Sequence, residues 1–154
     1  MAEHRPGLLL SLPHAGTADD GLPLLEIGRS SKLEVGAVTG DYVMAAGSAV
    51  GPVVMLLGCG TAVADVPWQS AAGAFRRRGA SVVVGTLAET LGRQTAPMAR
   101  LLADILWGSD PISEPTVGAI MRMVRRRLLA EGSTLGMSLV AFGHADWQLP
   151  QRDR

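Results

Sequence analysis

The chain carries a single cysteine, Cys59, in the stretch "VVMLLGCGTA" (53–62), where an apolar run stops at Gly-Cys-Gly. A thiol between two glycines at the mouth of a buried strand is small, accessible and set on a turn, as a nucleophile needs. A second apolar run, "LLLSL" (8–12), is followed at once by "PHAG", which holds His14. Histidine is acid and base near neutral pH, and a cysteine nucleophile needs such a proton carrier. Ligands of an open α/β sheet collect outside the carboxyl ends of its strands. His14 and Cys59 would therefore meet there if the two strands are neighbours, although 45 positions separate them. Gly58 and Gly60 permit a sharp turn whose main-chain N–H groups can point at a developing oxyanion, and Gly16 can act likewise beside the histidine.

Positioning these residues requires a sheet, and the hydropathy pattern supplies one. Leu8–Leu12, Val53–Leu57, Ser81–Thr86 and Met137–Phe142 are short, continuous apolar runs bounded by Gly or Pro, which predicts buried parallel strands. Helices are predicted over Trp68–Arg78, Thr95–Trp107 and Val117–Ala130. The second carries Met98, Leu101, Leu102, Ile105 and Leu106 on one face; the third carries Val117, Ile120, Met121, Val124 and Leu128, with Gly132 as its C-terminal cap. Between the first two strands, "GLPLLEIGRSSKLEVGAVTG" (21–40) reads as a hairpin and "DYVMAAGSA" (41–49) as a short helix. Strands alternating with helices make an α/β layered fold.

The 154 residues fit one domain over 1–150 with a disordered tail at 151–154, and formal charge sums to zero. Neutrality argues against a general nucleic-acid or membrane-surface role. The arginine runs 76–78 and 125–127 are helix C-terminal complements of the macrodipole, without stacking aromatics nearby. No apolar run is long enough to span a membrane, so the expected compartment is the cytoplasm. One cysteine and three scattered histidines form no metal cluster, and no cofactor is expected. His4 lies near the terminus. His144, in "FGHADWQ", follows a strand and is expected to be structural; it is the substitute base if His14 is not the partner. Asp65 and Trp68 after the cysteine, and Glu89 after the third strand, are candidate pocket residues; an acidic lining would favour a basic residue before the cut.

Two families share parts of this pattern. "LLGCGTA" with "RRGASVVVGTL" resembles the first motifs of S-adenosylmethionine methyltransferases. However, Ala62 replaces the third glycine, Leu56 replaces an acid, and Thr86 stands where an acid would hold the ribose. The fuller resemblance is to the C-terminal half of CHAT domains, caspase- and separase-like cysteine peptidases. "LLSLPHAG" is similar to their His-Gly strand end, "VVMLLGCGTA" to their cysteine strand, "AAGAFRRRGASVVVGTLAET" to the next helix and strand, and "SLVAFGHADWQL" to the last strand. The resemblance implies a caspase-like three-layer sandwich, a mostly parallel sheet flanked by helices, lacking its first strands. It also implies a Cys59/His14 dyad cutting peptide bonds and an oxyanion hole near Cys59 and Gly16. The partners implied are a peptide or protein substrate and a chain, or the rest of a longer polypeptide, that completes the sheet. Ala15 between His14 and Gly16, Gly60 in place of the family's glutamate, and Leu87–Glu89 in place of Leu-Trp-Pro are departures. They leave open a catalytically silent interaction module of the same fold.

Overall fold

The computed structural model describes residues 7–19, 21–28, 30–44, 50–63, 69–89, 92–107 and 116–148. Its strands are β1 (Leu8–Ser11), β2 (His14–Thr17), β3 (Pro23–Ile27), β4 (Ser31–Glu34), β5 (Val53–Leu56), β6 (Val82–Thr86) and β7 (Leu139–Phe142). Its α-helices are α1 (Gly40–Val43), a single turn, α2 (Ala71–Arg77), α3 (Gly92–Trp107) and α4 (Val117–Ala130). The main sheet has the order β1-β5-β6-β7, with the first three strands parallel. A second, antiparallel sheet has the order β2-β3-β4.

The period-two alternation of the central strands sorts their side chains into two cores. Val53, Met55, Leu57, Val82 and Val84 pack with Met98, Leu102, Ile105 and the apolar face of α4. Val54, Leu56 and Val83 pack on the other face with Phe75 and the alanines of α2, and with Leu25 of β3, Val35 and Val38. The result is three layers: α3 and α4, the main sheet, then α2 with the small sheet. The five predicted positions on α4 are all buried, and Gly132 follows that helix at φ 75°. Thr116 caps α4 by accepting the Ala119 N–H at 3.3 Å. Thr116→Ala should therefore lower stability by about 1 kcal/mol in urea unfolding, without altering the cysteine site at the far end of the helix.

Four expectations change. The fourth core strand is antiparallel, not parallel, to its neighbour, with Val83 opposite Phe142 and Thr86 opposite Leu139. The cause is the number of helices in the connection. A single helix returns the chain to the starting end of the sheet, whereas α3 and α4 carry it down and back up. Main-chain bonds mark the two ends of this path: Val117 N–H at the start of α4 donates to Trp147 O beyond β7, and Leu87 N–H just after β6 to Ser138 O just before β7. Second, β1 is an edge strand rather than a buried one, and Leu9 and Leu10, on opposite faces, are 39% and 41% exposed. Third, α3 begins at Gly92 rather than Thr95, and so contains Pro97 beyond its first turn; α2 begins at Ala71, capped by Ser70 accepting the Gly73 N–H. Finally, the predicted hairpin forms as β3 and β4 but gains a third strand, β2, which starts on His14.

Among the described residues no helix is long and apolar enough to cross a membrane.

Candidate functional site

The two strands that lead to His14 and Cys59 are hydrogen-bonded neighbours, Leu8 opposite Val53 through Ser11 opposite Leu56. The ladder continues one step past the strand, with Leu57 N–H donating to Ser11 O at 3.0 Å. Immediately beyond it the two main chains touch. A Cβ built on Gly58 would stand 1.5 Å from the Pro13 carbonyl oxygen, a place only glycine can occupy. The residue before His14 and the residue before Cys59 are thus packed against each other at the carboxyl ends of parallel strands, where α/β sheets hold ligands. Cys59 is half-buried.

His14 opens β2 directly opposite Glu26, which in turn lies opposite Lys32. Ala15, Leu25 and Leu33 turn to the core, so the alternation puts His14, Glu26 and Lys32 together on the outer face of the small sheet. His14 is exposed, and Lys32 Nζ is 3.6 Å from Glu26 Oε1.

The cysteine turn is fastened from the β6 side. Gly60, at φ 59°, takes the left-handed conformation that reverses the chain. Its N–H donates to Ala88 O at 3.1 Å, and the ladder phase set by Ala18 N–H to Leu22 O turns the Gly16 N–H to Leu24 O, so two of the three oxyanion glycines, Gly60 and Gly16, have their donors engaged within the protein. The same bond brings the segment that ends in Glu89, an exposed residue, against the turn. Ala62 N–H donates to Thr86 O at 3.0 Å, and Ala72 N–H to Thr61 O at 3.3 Å. Gly16 stands inside β2 opposite Leu24. Asp65, Trp68 and His4 lie outside the described residues.

Sequence reasoning did not single out Thr61 and did not find the role of Thr86. Both are buried, 1% and 0% exposed, and both hydroxyls are spent on the turn. Thr61 Oγ1 donates to Leu56 O at 2.5 Å and accepts the Thr86 N–H at 3.1 Å, while Thr86 Oγ1 donates to Gly58 O. The available signal was a threonine ending the buried run "SVVVGT" and another just past the cysteine. A hydroxyl in either place must find a partner.

His144 is not a substitute for His14. Because β7 runs antiparallel, its end lies beside Ser81 and Val82, where a Cβ on Gly143 would be 3.0 Å from Ser81 O. That is the amino end of β6, roughly 15–20 Å along the sheet from the Cys59 turn at strand rise per residue. The first arginine of each run serves the main chain: Arg76 Nη1 donates to Ala80 O at 2.9 Å and Arg125 Nη2 to Leu139 O at 2.7 Å. Among the described residues, no group of three or more His, Cys, Asp and Glu could hold a metal ion.

In comparisons with known proteins, no family model and no curated protein matches this chain.

Proposed function

We propose that the chain is a cysteine peptidase of the CHAT type, with a caspase-like fold, in which Cys59 and His14 act as the catalytic pair. The observation that carries this reading is the main-chain contact between Pro13 and Gly58, one residue before each group, at the carboxyl ends of β1 and β5. In the reaction the Cys59 thiolate attacks the scissile carbonyl carbon and the C–N bond breaks. The amine leaves with a proton from His14. Water then attacks the thioester, gives its proton to His14, and releases the acid and the thiolate. With the Gly60 N–H engaged by Ala88 and the Gly16 N–H turned to Leu24 O in the small sheet, the glycine oxyanion donor in this reading is the N–H of Gly58. Glu89 beside the turn favours a basic residue before the cut.

The test is labelling by a peptidyl acyloxymethyl ketone, which reports an activated thiol next to a bound peptide. The expected outcome is modification at Cys59 in the folded chain, lost on unfolding in urea and reduced at least ~10-fold in His14→Ala, a group supplying 10²–10⁴-fold in catalysis. Equal labelling of folded and unfolded chains would contradict the proposal.

A second reading, a silent interaction module, is favoured by the open edge of β1. Val53 N–H bonds Gly7 O at 3.1 Å and Leu57 N–H bonds Ser11 O, so the odd residues face β5. The main-chain groups of Leu8, Leu10 and Leu12 therefore point outward, beside leucine side chains that are themselves exposed at positions 9, 10 and 12. Such an edge adds a strand from another chain. If that is the chain's whole role, Leu10→Lys abolishes association in sedimentation experiments and Cys59 behaves as an ordinary thiol.

For the methyltransferase reading the strand end is unfavourable, because the Thr86 hydroxyl is engaged by Gly58 O and Thr86 itself is fully buried. S-adenosylmethionine should leave the melting temperature unchanged.

A further inference from the structure

We propose that Thr86, together with Thr61, is the positioning residue of Cys59: the Thr86 hydroxyl and the Ala88 carbonyl pin the two peptide groups that flank the cysteine, Thr61 ties Thr86 to the end of β5, and together they fix the direction of the thiol. The inference rests on the reading of Cys59 as a nucleophile and adds what holds it ready.

The two peptide groups beside the Cys59 Cα are those of Gly58–Cys59 and Cys59–Gly60. The oxygen of the first accepts the Thr86 hydroxyl, and the N–H of the second donates to Ala88 O. Fixing both peptide planes fixes φ and ψ of Cys59, and with them the Cα–Cβ vector. Thr86 makes two more links to the same turn, its N–H to Thr61 Oγ1 and its carbonyl to Ala62 N–H.

Proton counting closes this network. Each hydroxyl has one proton, and these go to Leu56 O and Gly58 O. The 3.5 Å approach of the two Oγ1 atoms is then a contact of neighbours, with no proton left for it. Neither threonine spends its hydroxyl on capping a helix or on solvent; both are buried and directed at the cysteine turn. The β-branch restricts χ1, so each hydroxyl is aimed without much loss of rotamer freedom. Close packing supports the same placement: a Cβ on Gly85 would be 3.1 Å from the Ala62 Cβ and 3.2 Å from Thr61 Oγ1, so the turn rests directly on β6.

The experiment uses the full chain with Thr86→Val, which keeps shape but loses the hydroxyl, and Thr86→Ser, which keeps the hydroxyl. Iodoacetamide alkylation of Cys59 is followed against pH. In Thr86→Val the rate at neutral pH should fall about tenfold, the factor one net hydrogen bond supports, and the dependence on His14 should vanish; Thr86→Ser should restore both. A valine variant that melts lower but keeps the unaltered pH profile would overturn the inference while leaving the nucleophile intact. An ordinary thiol profile in the unaltered chain would remove the nucleophile reading and this inference with it. Amide exchange in the unaltered chain needs no variant to fold. The Gly60 and Ala62 amides should be protected as the β6 core is, and exchange at open-loop rates beside protected Val54 and Val83 would overturn the clamp.

Discussion

Cys59→Ala is expected to abolish hydrolysis of any peptide the chain cleaves, by at least ~10⁴-fold, the loss typical of deleting a nucleophile. Stability should change by less than about 1 kcal/mol, because the substitution removes one sulfur from a half-buried turn whose main chain is held from β6. Turnover on a peptide library and urea unfolding of the same preparation check the two halves together. The pairing of outcomes matters more than either alone. Loss of activity without loss of stability assigns the thiol to chemistry. A marked melting loss with unchanged turnover would make Cys59 a packing residue. His14→Ala should act on the same turnover through the proton, with little effect on stability, since His14 is exposed at the start of β2.

Gly58→Ala should be the most damaging single methyl in the site, lowering stability by about 3 kcal/mol, the upper end of the range for overpacking. The added carbon would lie 1.5 Å from Pro13 O and 2.7 Å from its carbonyl carbon, and both are main-chain atoms that no rotamer change can move. Relief requires parting the β1–β2 connection from the cysteine turn. The change should therefore also slow Cys59 alkylation and erase its response to His14. Gly60→Ala has open space around the new carbon but must hold φ 59°, which costs about 1–2 kcal/mol. Gly36→Ala meets nothing within 4 Å and has no positive φ, so it serves as the neutral control, within about 0.5 kcal/mol. Equal effects at positions 58 and 36 in urea unfolding would show that the Pro13 contact does not bind the site together.

How much of this was legible in the sequence depended on where periodicity reaches. The four core strands and the buried face of α4 follow from apolar runs and a 3.6-residue repeat, signals that packing preserves. The antiparallel course of β7 was misread as parallel, although the cue was there: two predicted helices separate it from β6, and an even number of crossings reverses the chain. Strand β2 was not readable. "HAGT" offers one apolar side chain in four residues, and its strand character comes from pairing with the hairpin rather than from its own pattern. The exposure of β1 was hidden for the opposite reason, since "LLLS" reads as interior although both of its faces reach solvent.

For the site, the sequence pointed to the two residue types and the strand ends that carry them. It could not show Glu26 and Lys32 on the same face as His14, because cross-strand register depends on turn geometry. It gave no reason to join Thr61 to Thr86 across 25 residues, although that pair fastens the turn. The sequence also left Gly60 as an oxyanion donor, whereas its N–H closes the turn onto Ala88.

The central claim is that Cys59 and His14 form one chemical unit, and the pH dependence of Cys59 alkylation in the unaltered chain and in His14→Ala tests it most directly. The expected result is alkylation at neutral pH at least ~10-fold faster in the unaltered chain than in His14→Ala, with a different response to pH in the two. Superimposable profiles in the two chains would contradict it.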